Sequence, residues 1–441
     1  MNKQLIVVGY IICIISAIYF GLSLTNPILL LAALFGAYMA MNIGANDVAN
    51  NVGPAVWAGA ITLGGAVILA AFFESAGAII AGGAVVKTVK NGIIDISGFT
   101  DPNLYIYCML AALLSAALWL NIATYLKAPV STTHSIVGWI LGAWVVALGF
   151  EVVNWGTMRD IVASWFISPI MGWIIAALFL YGVKYLIIFK EDKVSAAKVW
   201  VPFFVAIMSW AFTTYIVVKG IKHIYQFSII TALIIGFVVA VITYVLMRLR
   251  LQSADKIKNN RESINKLFII PLIFSAALLS FAHGANDVAN AIGPLAAIYD
   301  AVVHGAIEWK VDIPLWIMLL WASGISIWLL LYGPQIIKTV GSEITELDGI
   351  RAFCIALSAA ITVIVASQLG LPVSSTHIAL GGVFWVGFLR EYLDRKHHNK
   401  KEVYVRRHLL KKIIAAWLIT VPVVSFISGF IFLCITFLAQ M

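Results

Sequence analysis

Charge is what this sequence has least of. Only 11% of its 441 residues are Asp, Glu, Lys or Arg, 62% are hydrophobic, and the mean hydropathy is +1.00. A soluble chain carries about 25% charged residues. No soluble core could hide this much apolar side chain, so lipid must solvate much of it. Cysteine is scarce too. Cys13, Cys108, Cys354 and Cys434 lie in or beside apolar stretches, with neither metal-ligand spacing nor paired loop positions. That excludes a disulfide scaffold and a cysteine metal centre, and the four read as small buried hydrophobes. Signatures of enzymatic chemistry are missing as well. The chain has no phosphate-cradling lysine loop, no zinc spacing and no nucleophile elbow, which argues against an enzyme and against an ATP-driven pump.

What is present is a series of long apolar runs, among them Leu5 to Leu24, Leu104 to Leu126, Ile170 to Phe189, Ile229 to Met247 and Ile413 to Leu438. Each approaches the roughly 20 residues that a helix needs to cross a hydrocarbon core. The expected fold is an all-α integral membrane protein with about 12 to 13 transmembrane segments, some of them half-helices or hairpins, passing many times through the cell membrane. Lys3 precedes the first run, but no small-residue cleavage site follows Phe20, so residues 1–26 are expected to remain as an extra N-terminal helix. The fifteen tryptophans and fifteen tyrosines suit interfacial belts.

The net charge of +9 falls in short runs between apolar segments, not in one patch. One run holds Arg248, Arg250, Lys256, Lys258, Arg261 and Lys266. Another spans Arg390 to Lys412 and includes Lys400, Lys401, Arg406 and Arg407. This is the pattern of cytoplasmic loops and excludes a nucleic-acid role. With those loops inside, the segment order also places Lys190, Lys193, Lys198 and the N-terminus inside, and the C-terminus outside.

The chain repeats itself. Gly44-Ala-Asn-Asp-Val-Ala-Asn50 recurs letter for letter as Gly284-Ala-Asn-Asp-Val-Ala-Asn290, and Gly53-Pro54 recurs as Gly293-Pro294. Pro129-Val-Ser-Thr-Thr-His134 is matched by Pro372-Val-Ser-Ser-Thr-His377. Lys87-Thr88-Val89 parallels Lys338-Thr339-Val340, and Trp165 and Ser168 parallel Trp417 and Thr420. The matches stay in order, as a duplicated half requires. The organisation read from them is a first repeat over 27–189, a spacer with a cytoplasmic loop over 190–264, and a second repeat over 265–441. The stretch 297–313, with Asp300, His304, Glu308, Lys310 and Asp312, has no counterpart and reads as an extracellular insertion. An odd number of apolar segments separates the two motif starts, so the halves are expected to face opposite ways, with a site near mid-membrane where they meet.

Asp47 and Asp287 sit deep in apolar sequence, each with two asparagines. A lone carboxylate in a membrane is costly and is kept for function. On a helix Asn46, Asp47 and Asn50 share a face, and so do Asn286, Asp287 and Asn290. Carboxylate and amide oxygens are hard ligands suited to Na⁺ or to a proton. Asn51 is replaced by Ala291 in the second half and is set aside. Gly53-Pro54 is expected to break the helix and free carbonyls as further ligands. The Pro-Val-Ser-x-Thr-His runs suit an anion instead. Proline followed by hydroxyl residues starts a helix, whose N-terminal N–H groups attract anions. Ser131, Thr132, Thr133, Ser374, Ser375 and Thr376 would add neutral hydroxyl donors around a tetrahedral oxyanion. His134 and His377 read as packing or capping residues before ligands. Glu74, alone in its apolar segment, is a candidate coupling group that could pair with a base such as Lys87. Lys127 reads as an interfacial lysine.

In these paired motifs the sequence strongly resembles the PiT family of inorganic phosphate transporters. The resemblance covers nearly the whole chain from about residue 27. It implies a secondary symporter of two inverted repeats that uses no cofactor and moves inorganic phosphate with a coupling cation, Na⁺ ahead of H⁺. In it the Asn-Asp motifs serve the cation and the Ser/Thr motifs the anion. It is compatible with a homodimer. Glu74 resembles a family glutamate. Where many members carry a second glutamate, before the second Ser/Thr motif, this chain has Ala356, so the coupling stoichiometry stays open. Sulfate transport, proton coupling and an ion channel are the competing expectations.

Overall fold

The computed structural model describes residues 26–95, 101–126, 130–220, 225–253, 257–305, 313–341, 347–398, 403–405 and 407–440. The expected N-terminal helix, Cys13, Lys127, Pro129, residues 306–312 and the loop lysines Lys256, Lys400 and Lys401 therefore lie outside the described residues, as do Arg406 and the side chain of Lys87.

Among the described residues, ten helices are long and apolar enough to cross a membrane. In chain order the first repeat contributes α1 (Pro27–Trp57), α2 (Leu63–Ala81), α3 (Gly83–Asn91), α4 (Pro102–Tyr125), α5 (Thr132–Leu148) and α6 (Trp155–Val183). The middle of the chain forms α7 (Lys193–Tyr215), α8 (Ile229–Gln252) and the short α9 (Arg261–Leu267). The second repeat contributes α10 (Ile269–His304), α11 (Leu315–Gly341), α12 (Gly349–Gln368), α13 (Ser375–His398) and α14 (Arg407–Gln440). α5 is shorter than a full span, whereas α13, which begins at the second Ser/Thr motif, has 24 residues. Polar caps begin many of these helices. Asn26 accepts from the Ile28 N–H and precedes Pro27, and Asp101 accepts from Asn103 and Leu104 ahead of Pro102. Proline at the first helical position loses a donor that has no partner there anyway.

Packing between the repeats is reciprocal. α1 lies against α11, and its counterpart α10 lies against α2. Likewise α5 lies against α14, while its counterpart α13 lies against α6. Each repeat thus completes the other, and α7 and α8 pack on one another to one side. Ser75 and Ser326, which occupy matched positions counted back from the two Lys-Thr-Val runs, hydrogen-bond to each other at 2.9 Å. Outward-facing Ile230, Phe237 and Leu246 on α8 and Phe426 and Phe437 on α14 are exposed, as a lipid-facing surface requires.

Two expectations change. Gly53-Pro54 does not break its helix: α1 continues to Trp57, and α10 passes through Pro294 to His304. Burial holds the turn together, since Trp57 folds back over Gly53 and its indole N–H donates to the Ile337 carbonyl at 2.9 Å. Proline still removes one ladder bond and frees the carbonyl four residues earlier. Those carbonyls belong to Asn50 and Asn290, the last residues of the two motifs. The second change concerns 297–313. Its first part, up to His304, is helical and continues α10, buried for most of its length as far as Ala301.

Candidate functional site

The two Gly-Ala-Asn-Asp-Val-Ala-Asn runs form the middles of α1 and α10, and they meet the starts of α5 and α13. The glycines make the approach possible. A Cβ on Gly284 would overlap the Glu74 carbonyl of α2, and one on Gly77 would overlap the Phe281 carbonyl of α10. Gly44 sits the same way against the Ile325 carbonyl of α11. Backbone-to-backbone contact of this kind is how small residues join helices where lipid offers no hydrophobic drive.

At the centre the motifs cross between repeats. Thr132 donates to Asp287 Oδ2 at 2.7 Å, and Thr376 donates to Asp47 Oδ1 at 2.8 Å. The hydroxyls read from sequence as anion donors are therefore bonded to the carboxylates read as cation ligands, each in the opposite half. Asn50 donates to Thr376 Oγ1 at 2.9 Å and, more weakly, to Asp47 Oδ1 at 3.3 Å. Asn46 donates to Asp47 Oδ1 and to the Val130 carbonyl, both at 2.9 Å. Both aspartates are fully buried.

The remaining predicted residues divide into holders and unengaged groups. Ser131 and Ser374 accept from the N–H groups of His134 and His377 at 3.1 and 3.2 Å, so they cap α5 and α13. Thr133 donates to the Val373 carbonyl at 2.8 Å, which ties one motif start to the other. Asn286 donates to Ser367 Oγ and the Leu371 carbonyl and accepts from the Val373 N–H. It braces the segment before α13 instead of Asp287. Asp47 Oδ2, Asp287 Oδ1, both amide atoms of Asn290 and Ser375 Oγ are buried without a hydrogen-bond partner in the protein. Buried polar atoms are rarely left so. As chemistry, they are hard oxygen acceptors suited to a cation beside donors suited to an oxyanion.

Two residues outside the sequence-predicted set, His283 and Asn51, join Glu74 to this centre. His283 is fully buried, and its Nε2 lies 3.6 Å from Asp47 Oδ2 and 3.4 Å from Asp287 Oδ2. Its Nδ1 lies 3.5 Å from Glu74 Oε1. Asp47, His283 and Asp287 together could hold a metal ion. Asn51 donates to Glu74 Oε1 at 2.7 Å. Glu74 is thus joined to the centre through His283 and Asn51. The signal for His283 was present: an ionisable residue in an apolar run, four before Asp287 and on the same face. Asn51 was dropped for lacking a repeat partner, although Glu74 lacks one too.

His134 and His377 pack. Their rings meet edge to face at 4.4 Å, His134 lies 3.9 Å from the Trp165 ring, and His377 stacks on Trp417 at 3.6 Å. This explains why the two tryptophans recur.

Comparison with known proteins places the arrangement. A model of the phosphate transporter family matches residues 43–428. A candidate phosphate permease of Helicobacter pylori (strain J99) is 46% identical, over 96% of this chain and 93% of that protein. One from Pyrococcus abyssi is 41% identical, over 92% and 98%. A solved structure of a sodium-dependent phosphate transporter superposes with a TM-score of 0.86 at 34% identity, covering 93% of this chain and all of the other (100%).

Proposed function

The chain belongs to the phosphate transporter family, and on that premise we propose that it is a secondary symporter carrying inorganic phosphate together with Na⁺. It is a multi-pass membrane protein, not an enzyme. The observation that carries the coupling is the crossed pair of bonds, Thr132 to Asp287 and Thr376 to Asp47.

The chemistry follows from charge. Phosphate arriving beside two carboxylates is repelled. At ~5 Å and an effective dielectric of about 20, two like charges cost about 3 kcal/mol. A cation held by Asp47, Asp287 and the Asn46, Asn50 and Asn290 oxygens reverses that sign, while Asn286, expected from sequence in the same set, holds the segment before α13 in place. It also competes for the carboxylate oxygens that Thr132 and Thr376 now occupy, which turns those hydroxyls toward the anion. Phosphate would then be held by Thr132, Thr376 and Ser375, with Ser131, Thr133 and Ser374 fixing the N-termini of α5 and α13 that point their N–H groups at it. Binding of one ion favours the other, as linkage between neighbouring sites requires.

A second reading has one observation in its favour. His283, between Asp47, Asp287 and Glu74, can hold or pass a proton, so the coupling ion could be H⁺. Uptake of radiolabelled phosphate into proteoliposomes, with Na⁺ and proton gradients imposed separately, distinguishes the two. Sodium-driven accumulation is expected, and absence of uptake under both gradients would sink the proposal. Competition by unlabelled sulfate in the same assay tests the anion.

A further inference from the structure

His134 and His377 have no place in the coupling of Thr132 and Thr376 to the aspartates. Each is the third residue of its helix, α5 or α13, so both lie in the first turns whose N–H groups face the anion. Packing fixes their rings. Trp165, His134, His377 and Trp417 follow one another in a row across the contact between the repeats, with centroids 3.9, 4.4 and 3.6 Å apart. Packing does not satisfy their polar atoms. His134 is 6% exposed and His377 2%, yet both ring nitrogens of His134 and Nε2 of His377 are buried without a hydrogen bond in the protein. The indole N–H groups of Trp165 and Trp417 and the Ser375 hydroxyl are buried in the same way. Buried polar groups rarely stay unmet, and these border the place where the transported anion is expected.

The chemistry of this set is mixed. Hydroxyl and indole groups can donate to an anion. A neutral imidazole differs: one nitrogen donates and the other accepts. Neutral is the form this place favours. Charging one buried ring 4.4 Å from another is costly, and among the described residues neither ring has a carboxylate partner. His134 also faces the Trp417 carbonyl, outside hydrogen-bond geometry. With its N–H on that side, the other nitrogen is left as an acceptor, and the reverse tautomer would set lone pair against carbonyl oxygen. An acceptor among donors is wrong for a bare oxyanion and right for one that keeps a hydroxyl. Sulfate near neutrality offers only lone pairs. Phosphate has the same tetrahedral shape and retains a P–OH that donates.

We propose that the His134–His377 pair accepts a hydrogen bond from the P–OH of phosphate, and that this sets a preference for phosphate over sulfate. The inference rests on the phosphate-symport reading and adds the groups that choose between two tetrahedral anions. Uptake of labelled phosphate into proteoliposomes is competed with unlabelled phosphate, arsenate, sulfate and monofluorophosphate. At mildly alkaline pH all of these are dianions, and only phosphate and arsenate keep a hydroxyl, so charge does not confuse the comparison. Arsenate should compete about as well as phosphate. Sulfate and monofluorophosphate should compete on the order of a hundredfold less well, the scale of leaving a buried acceptor unpaired. His134→Phe and His377→Phe keep a ring in the row and remove the acceptor, so the disadvantage of sulfate should shrink about tenfold. His134→Gln restores a carbonyl acceptor and should retain it. A packing role alone would lower uptake without moving these ratios. Absence of wild-type uptake under either gradient defeats the symport reading itself. With uptake intact, the proposal is overturned if sulfate or monofluorophosphate competes with the wild type as strongly as phosphate does, a result that needs no variant to fold. It is overturned equally if transporting His134→Phe and His377→Phe proteins keep the wild-type ratios.

Discussion

α1 and α10 carry the same motif and use it differently. In α1 both asparagines turn to Asp47, and Asn50 also holds Thr376, so the first site is closed on itself. In α10 Asn286 turns away to brace the segment before α13, Asn290 bonds nothing in the protein, and Asp287 keeps Thr132 and His283. The two copies also differ one residue ahead of the motif. Ile43 of α1 becomes His283 of α10, and Glu74 of α2 has Ile325 as its counterpart in α11. One crossing of glycine on backbone is apolar, and its twin carries an acid and an imidazole. An exact sequence repeat therefore does not make a symmetric site, because what faces each copy has diverged.

The comparison can be broken most severely at the carboxylates. Asp47→Asn and Asp287→Asn should each lower cation-driven phosphate uptake roughly a hundredfold, the scale of losing one buried charged ligand, while membrane insertion is unchanged. Normal cation dependence in both would defeat the assignment. Next come the divergent positions. His283→Ile or Glu74→Ile alone strands a buried ionisable partner and should cost about 3–5 kcal/mol. The double variant, which restores the apolar pattern of Ile43 and Ile325, should cost less than the sum. Denaturation of the four proteins measures this, and additive losses would show the two residues to be uncoupled.

The asparagines sharpen the contrast between a closed and an open site. Asn50→Ala removes bonds that Thr376 and Asp47 rely on and should lower stability by about 1–2 kcal/mol. Asn290→Ala removes none, so its thermal midpoint should stay near wild type while its affinity for the coupling ion falls. The smallest effect is expected at the caps. Ser131→Ala and Ser374→Ala should each cost about 1 kcal/mol, with glycine at either position costing only a few tenths. A much larger loss of uptake than of stability would mean that these hydroxyls touch the anion.

The membrane class, most helices and the motif residues at the centre were legible because each rests on local pattern: apolar length, a repeat, a cap. Ser131 and Ser374 were readable as helix starts for that reason. What the sequence hid was which copy faces which. Nothing local states that Thr132 reaches Asp287 and not Asp47, since that depends on how the repeats exchange helices. The continuity of α1 through Pro54 was hidden too, because tertiary burial by Trp57 overrides a local breaker. His283 was overlooked because ranking by duplication discards residues whose role is to break the duplication, and Asn51 and Glu74 share that property.

The reciprocal packing of α1 with α11 and α10 with α2 bears on ancestry and assembly. A lone half would present bare faces on α1, α2, α5 and α6, each shaped for a helix it does not own. Such a half could satisfy those faces only by embracing a second copy. Fusion in one chain, with α7 to α9 between the halves, spares those faces the search for a second copy.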